Sequence, residues 1–284
     1  MAFQLDALTV ASKEAVQAIH KNIAKISLFA KSFSELNGTV GKTIQVPIYN
    51  LDEAAAFNAT TNNYCTDGTN ILKGLVSLDQ YFVKSVSITD IQEAETGIRW
   101  VQDTTVALAD SLTRAVNSYV FGLINATNVT KTAETPTTKQ TVAGLYAIAE
   151  ANDIPVDRAV VALGPTQFAN VLGMLDADVY GGSEAIRLGV IPGLYGFKGF
   201  VCTSNLPEGT NGAVIADSAI GVASRYLFPG TEGAYPEVWS ATDSDGFTIG
   251  YRRFMDLCTG TNKLAADCVF GASILQADKI VRLV

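Results

Sequence analysis

Residues 91–124 read IQEAETGIRWVQDTTVALADSLTRAVNSYVFGLI, and this stretch carries the strongest periodic signal in the chain. Its apolar and small side chains recur at spacings of three and four residues, which is typical of the buried face of an α-helix. These residues are Ile98, Val101, Thr105, Leu108, Leu112, Ala115, Tyr119 and Leu123. Asp90 can cap the start of the helix, and Glu93 lies in the first turn, where the helix dipole favours a negative charge. A helix of this length is a rod of roughly 50 Å, and we predict that it is the spine of the fold.

Two stretches of alternating sequence precede this helix. Residues 42–49 (KTIQVPIY) and 75–89 (LVSLDQYFVKSVSIT) alternate apolar and polar side chains, which predicts two strands. Pro47 favours an edge position, because proline has no N–H to donate to a central ladder. Residues 50–73 are rich in Ala, Asn, Thr and Gly and are predicted to be irregular. We therefore predict an extended hairpin, which needs a partner surface because two strands alone cannot bury both faces.

The N-terminal region has helical periodicity. Residues 7–35 place apolar side chains near one face and lysines elsewhere, and the segment NGTVG (residues 37–41) is predicted to end this helix. The face consists of Val10, Val16, Ile19, Ile23, Ile26 and Phe29.

The pattern changes to mixed helices and strands after residue 138, so the fold class is α+β. The predicted helices span residues 140–151 and 165–175, and the predicted strands span residues 158–163, 199–203, 213–216, 247–258, 264–275 and 279–284. Three stretches are rich in Thr, Gly, Pro or Asp and are predicted to be loops: residues 125–138, 176–193 and 229–246.

The composition indicates an oligomer. Charged residues make up 17% of the 284 residues, below the roughly 25% of an average soluble domain, so part of the surface is expected to be buried against partners. The net charge of −8 argues against general nucleic-acid binding, which requires cationic side chains. The N-terminal sequence does not resemble a signal peptide, and no run of 18 apolar residues predicts a membrane span.

The residues that could carry chemistry do not form a recognisable site. GTVGKT (residues 38–43) lacks the first glycine of a phosphate-binding loop, and the predicted order of helix and strand is reversed. His20 is the one histidine, so neither a zinc site nor a catalytic triad can be placed. The turn DSDG (residues 243–246) lacks the other ligands of a calcium loop. We predict no enzyme activity, no catalytic or metal site and no cofactor.

The four cysteines contain no CxxC pair. We interpret them as free thiols, although a bridge between two of them, Cys258 and Cys268, remains an alternative. The cysteines are Cys65, Cys202, Cys258 and Cys268.

The order of these parts resembles the major capsid protein of tailed bacteriophages with the HK97-type fold. The segments that carry the resemblance are GKTIQVPI (residues 41–48), the spine helix, VVALGPTQF (160–168), LYGFKGFVCTSNLP (194–207), AVIAD (213–217) and the terminal hairpin from Gly250 to Ile274. The resemblance covers nearly the whole chain in order and spacing, and no single motif in it is diagnostic.

The resemblance implies a division of the chain into an N-terminal arm, an extended loop called the E-loop, a peripheral domain and an axial domain. These would span residues 1–39 (arm), 40–90 (E-loop), 91–140 with 236–284 (peripheral domain) and 141–235 (axial domain). Subunits of this family form pentamers and hexamers and close into an icosahedral shell around packaged DNA. The implied partners are copies of the chain, DNA without sequence-specific binding, and a separate scaffolding protein, portal and decoration proteins, with assembly in the host cytoplasm and no membrane.

Contacts between subunits are expected from apolar and aromatic residues of the E-loop, because aromatic side chains dominate interfaces. We expect Phe57, Tyr64, Tyr81 and Phe82 to serve in this way. Lys73 lies in the region where some family members form a cross-link between subunits, but nothing in the sequence requires that reaction here.

Three other functions remain open at this point. A shell protein of an encapsulin-type nanocompartment would share the fold and enclose protein cargo instead of DNA. A surface-layer or adhesion module would suit the Thr-rich and Asn-rich stretches. A hydrolase would need two carboxylates brought together by folding.

Overall fold

The structure is a computed structural model in which a long helix and two sheets form the body of the chain. It describes residues 13–19, 23, 25–34, 43–51, 69–89, 91–92, 100–137, 139–174, 190–192, 196–225, 237–256 and 258–284. Four residues for which the sequence analysis states an expectation lie outside the described residues: His20, Phe57, Tyr64 and Cys65.

The spine is helix α1, Trp100–Gly122. At ~1.5 Å per residue, Trp100–Gly122 is about 35 Å long. Residues 91 and 92 of the predicted rod are also helical, and residues 93–99 lie outside the described residues. Its apolar face is buried at Leu108, Leu112 and Val116. The helix ends where the Asn125 side chain accepts hydrogen bonds from the backbone N–H groups of the following turn, which compete with continuation of the helix.

The first sheet is built around one long strand, β13 (Thr261–Ile274), on which α1 packs. Along one side β13 pairs with β12 and, further on, with β10; β4 pairs along its other side, as shown by Lys263, which lies opposite both Phe254 and Ser87. Tyr119 of α1 meets Phe270 of β13 edge to face, with ring centroids 6.0 Å apart. The described strands of this sheet are β1 Ala30–Ser32, β4 Gln80–Thr89, β10 Ile220–Arg225, β11 Glu237–Thr242, β12 Thr248–Asp256 and β13.

Strand β11 corrects the prediction of a loop at residues 229–246. Its six residues pair with β12 in register from Glu237 to Thr242. The short stretch lies between Pro, Gly and Asp residues that predict turns, and the side-chain pairing that stabilises it is not visible in sequence. Trp239 stacks on Tyr251 of β12 with ring centroids 5.4 Å apart, and Arg253 pairs with Glu237 at 3.2 Å.

The predicted hairpin is formed by different strands from those expected. β2 (Thr43–Leu51) pairs antiparallel with β3 (Thr69–Ser77) in a two-stranded sheet. The chain then turns at Leu78 and Asp79, and β4 joins the first sheet. The alternating stretch at 75–89 is therefore two strands, and the region predicted as the E-loop contains one strand of the body.

The second sheet has the order β5-β14-β9-β6-β8-β7. Every residue of β6, β9 and β14 is buried, and helices α2 (Lys139–Ala151) and α3 (Pro165–Met174) accompany the sheet. These helices and the strands β6, β8, β9 and β14 agree with the predicted ones to within about two residues at each end, whereas β5 and β7 lie in stretches predicted to be loops (125–138 and 176–193). The strands are β5 Thr132–Ala133, β6 Val160–Leu163, β7 Val190–Pro192, β8 Gly199–Cys202, β9 Gly212–Ile215 and β14 Ile280–Leu283.

The ranges of the predicted domains do not coincide with the two sheets. β5 and β14 lie in the range predicted for the peripheral domain (91–140 with 236–284) and belong to the second sheet, whereas β11, β12 and β13 of the same range belong to the first. β10 lies in the range predicted for the axial domain (141–235) and pairs with β13 in the first sheet. Each of these ranges therefore contributes strands to both sheets.

The N-terminal helix ends earlier than predicted. Residues 13–19, 23 and 25–27 are helical, and β1 then runs parallel to β10. The segment contacts both sheets: the Lys25 Nζ donates to the Cys202 carbonyl at 2.8 Å, and the Phe33 N–H donates to the Val222 carbonyl at 2.8 Å. The described part of the predicted arm is thus packed in the core of its own subunit, where Ile19 and Phe29 are fully buried.

Candidate interaction surface

The hairpin leaves the body at a crossing of two backbones. Residues Ser77 and Leu78, between β3 and β4, pass directly over Gly271 of β13. A Cβ atom at residue 271 would overlap the Ser77 carbonyl oxygen. Only glycine allows this approach, so the crossing fixes where the hairpin begins.

A small apolar cluster, which we call the hairpin root, holds the base of the hairpin on the first sheet. Its buried members come from the N-terminal segment, β2, β3 and the sheet: Phe33, Ile44, Val76, Leu78, Ala223 and Val269, with Val46 and Leu275 packed against them. Gly221 of β10 provides part of the contact surface, because a Cβ there would lie 2.9 Å from Leu275 and 3.0 Å from Val76. The root therefore sets the direction in which the hairpin projects.

Beyond the root, the hairpin strands leave side chains uncovered in the subunit. Leu75 of β3 exposes 50% of its surface, and its neighbours across the ladder, Gln45 and Pro47, are also exposed. Lys73, opposite Pro47, is exposed as well. An exposed leucine in a two-stranded sheet is a surface that a second protein can cover.

Strand β4 adds a second uncovered surface beside the root. Tyr81 and Val83 expose 53% and 50% of their surfaces. Within the described residues β4 pairs with β13 on one side, and no strand is assigned to its other side. Phe82 points to the opposite face and packs against the core of the subunit.

The outer face of the first sheet carries a buried ion pair. Arg252 lies 2.8 Å from Asp267, and their side chains are 16% and 5% exposed. Burial raises the pKa of the Asp267 carboxyl, and the nearby Arg252 guanidinium partly offsets that rise. This pair is a structural feature of the sheet, because Asp267 is almost inaccessible.

The described residues do not bring together a group that could bind a metal. No cluster of three or more His, Cys, Asp or Glu side chains that could hold a metal occurs among them. Cys202, Cys258 and Cys268 are free thiols, so the alternative bridge between the last two is not formed. Burial raises the pKa of the Cys268 thiol far above its usual range, which makes it unreactive. In the described part of the chain, no helix is both long and apolar enough to cross a membrane.

The expected contact residues fall into three groups. Lys73 and Tyr81 are exposed, Phe82 is engaged in the core of its own subunit, and Phe57 and Tyr64 lie outside the described residues. Sequence reasoning missed Leu75 and Val83, which are exposed in the same region. Both belong to the alternating stretch at 75–89, in which they share the exposed face with Tyr81.

One comparison with known proteins identifies a family. A family model described as phage capsid protein matches residues 72–257, well over half of the chain. No curated protein sequence matches the chain.

Solved structures with this fold cover nearly the whole chain at low identity. A structure described as Mycobacterium phage Che8 is 14% identical, covers 91% of this chain and 90% of its own, and gives a TM-score of 0.59. The capsid of cyanophage P-SCSP1u is 15% identical over 91% and 86% of the two chains, with a TM-score of 0.60. A virus-like particle from Pyrococcus furiosus is 11% identical over 96% and 98%, with a TM-score of 0.52. At these identities the likeness shows the fold.

Proposed function

The chain belongs to the phage capsid protein family, and on that premise we propose that its copies close through pentamers and hexamers into an icosahedral shell that encloses phage DNA. The family match carries this conclusion, because residues 72–257 include the second strand of the hairpin, the spine helix and most of both sheets. The expected HK97-type α+β fold and the structural role as a major capsid protein of the virion are confirmed.

The uncovered surfaces of the hairpin and of β4 support assembly through these elements. Leu75, Tyr81 and Val83 each expose about half of their surface, and they lie on either side of a root that holds the hairpin in one direction. A hairpin that is fixed at its base and exposes an apolar side chain such as Leu75 can lie on a neighbouring subunit without first reorganising. We propose that Leu75, Lys73 and Tyr81 contact a neighbour, together with Phe57 and Tyr64.

The charge of the chain supports packaging of DNA without sequence-specific binding. A net charge of −8 gives little attraction to a polyanion, so a wall of such subunits does not immobilise the DNA inside it. A scaffolding protein, a portal and decoration proteins are proposed partners, and assembly is proposed to occur in the host cytoplasm. We propose that the chain has no catalytic activity, because its function lies in contacts between subunits.

The domain map is proposed with the strands placed as the structure has them. The hairpin β2–β3 is the E-loop, the first sheet with α1 is the peripheral domain, and the second sheet with α2 and α3 is the axial domain.

An encapsulin-type nanocompartment is the second candidate, because the virus-like particle from Pyrococcus furiosus shares the fold. The family match favours the phage capsid over this candidate and over a surface-layer or adhesion module. The two shell proteins differ in contents, which are DNA in one case and protein in the other.

The test begins with the shells themselves. The chain is expressed with its neighbouring genes, particles are isolated by size-exclusion chromatography and imaged by electron microscopy, and their contents are measured by absorbance and mass spectrometry. Closed shells containing nuclease-protected DNA support the proposal. Closed shells that enclose one protein and no DNA point to the nanocompartment.

A matched pair of variants tests the contact surface. Leu75→Ser removes an apolar contact and is expected to reduce the yield of shells at least several-fold while the subunit stays folded. Leu75→Met keeps an apolar side chain of similar volume and is expected to assemble like the unmodified chain. Equal yields from both variants would contradict the role given to the hairpin.

A further inference from the structure

A cavity of about 120 Å³ lies where the N-terminal segment, α1 and the first sheet meet. Most of its wall is apolar and comes from segments far apart in sequence. The apolar lining includes Ile23, Ile26, Val116, Val222, Phe247 and Phe270. These side chains are buried or half-buried, whereas Ser32 in the same lining is exposed, so the cavity reaches into the interior and is partly open to the surface on the side of Ser32.

The polar side of the cavity is formed by serines whose hydroxyls are bonded to one another and to the backbone. The Ser224 Oγ accepts from the Thr248 N–H at 3.1 Å, and the Ser34 Oγ accepts from the Ser224 N–H at 3.1 Å. Ser32 and Ser34 are 3.1 Å apart through their hydroxyls. These groups are engaged within the protein, so they offer little to a ligand that needs several hydrogen bonds.

The charge of the lining and the size of the cavity further restrict the class of ligand. Asp245 is the charged residue in the lining, and its carboxylate disfavours an anionic ligand such as a short fatty acid. In size the cavity is comparable to engineered apolar cavities of about 150 Å³, which bind benzene or xenon.

We propose that this cavity is a binding site for one small, neutral, apolar molecule of about the size of benzene. The ligand touches the N-terminal segment, the spine helix and the first sheet at once, so its binding stabilises the docking of the N-terminal segment on the sheet. The proposal goes beyond shell formation and does not depend on it, because the cavity lies within one subunit.

The first experiment measures ligand-induced stability of the unmodified subunit. Benzene and toluene are the probes, and hexanoate is the anionic control. At a benzene concentration 10 times Kd, the unfolding equilibrium constant is expected to fall about 11-fold, with no change for hexanoate. Absence of any shift with benzene near its solubility limit would overturn the proposal.

A matched pair of variants on α1 tests whether benzene stabilises the subunit by binding in this cavity. Val116 lines the cavity, whereas Val120, one turn further along, lies in the packed core and outside the lining. Val116→Phe is expected to fill the cavity, to retain stability and to abolish the response to benzene. Val120→Phe is expected to destabilise the subunit by overpacking and to keep the response. A benzene response that survives in folded Val116→Phe would overturn the assignment.

A direct measurement on the unmodified protein shows whether the cavity binds an apolar ligand, even if these variants do not fold. Crystals under xenon pressure are expected to show one xenon atom between Val116 and Phe270. Density for ordered water at that position, with no xenon, would show a polar cavity and would overturn the proposal. Ala30→Val, a smaller change in the lining, is expected to lower the xenon occupancy.

Discussion

Strand β6 of the second sheet and the hairpin β2–β3 are both predicted from a few residues of β-forming sequence, yet they are stabilised in opposite ways. All four residues of β6 are buried, and the strand pairs with β8 on one side and β9 on the other. The hairpin has a single ladder, and beyond its root it exposes side chains such as Lys73 and Leu75. The subunit alone encloses β6, whereas it leaves part of the hairpin exposed, and there we propose that a neighbouring subunit covers it.

The root of the hairpin lies between these two extremes. Val76 and Leu78 are as buried as core residues, although Leu75 and Ser77 beside them are exposed. One face of this segment is therefore buried in the subunit, and the opposite face is left for the proposed contact with a neighbouring subunit. The four predictions below test the comparison in order of decreasing expected effect on subunit stability.

The largest effect is expected in the second sheet. Leu163→Ala in β6 removes a fully buried side chain and should lower the free energy of unfolding by about 2–5 kcal/mol. Chemical denaturation of the unassembled subunit measures this loss in the free energy of unfolding. Val83→Ala, at an exposed apolar residue of β4, is the control and should change stability by less than about 0.5 kcal/mol. Similar losses at both residues would remove the contrast between the sheets and the uncovered surface.

The second effect is expected at the root. Gly271→Ala places a Cβ against the Ser77 carbonyl oxygen and should destabilise the subunit by about 1–3 kcal/mol, because the backbones must move apart. Hydrogen exchange should show the loss of protection concentrated in residues 73–78.

Gly144→Ala is the matched control for the root. Nothing lies within 4 Å of a Cβ at this helical residue, so the substitution should stabilise α2 by about 1 kcal/mol. If Gly271→Ala does not destabilise the subunit either, the crossing of Ser77 and Leu78 over Gly271 does not fix the position of the hairpin.

A third and smaller effect depends on pH through the ion pair of Arg252 and Asp267, which lies beside Val83 of β4 on the first sheet. The pKa of Asp267 is raised from 3.8 in the folded chain, so the folded state holds its proton in a range where the unfolded state has released it. The contribution of this carboxyl to stability is therefore present at low pH and declines as pH rises from about 3.8 through the folded pKa.

The measurement compares Asp267→Asn with the unmodified chain across that range. The amide does not titrate, so the stability of the variant relative to the unmodified chain should increase as pH rises through the window. A relative stability that decreases with rising pH would show that the Arg252 guanidinium outweighs burial. NMR titration of the Asp267 carboxyl gives the same answer independently.

The smallest effect is expected on the hairpin itself. Lys73→Ala removes an exposed side chain of β3 and should change the free energy of unfolding by less than about 0.5 kcal/mol. Thermal unfolding of the unassembled subunit measures this, and a loss above 1.5 kcal/mol would mean that the subunit alone stabilises the hairpin.

Helices and isolated strands were predicted well because their signals are local. The spacing of Leu108, Leu112 and Tyr119 predicts α1, and the apolar run at residues 160–163 predicts β6. Strand β11 was missed because its stability comes from pairing with β12, as in the stack of Trp239 on Tyr251. Of the candidate contact residues, Lys73 and Tyr81 are exposed as expected, but Phe82 is not.

The sequence by itself determined the α+β class, the spine helix, the presence of a projecting hairpin and the resemblance to a capsid protein. These depend on periodicity and on the order of elements, which are properties of the chain. Only the tertiary structure decided where the alternating stretch at 75–89 divides, because its period of two continues unchanged through Leu78 while the pairing partner changes from β2 to β13. The physical reason is that a strand is defined by its neighbours, and the close approach of Ser77 to Gly271, about 190 residues away, brings those neighbours together.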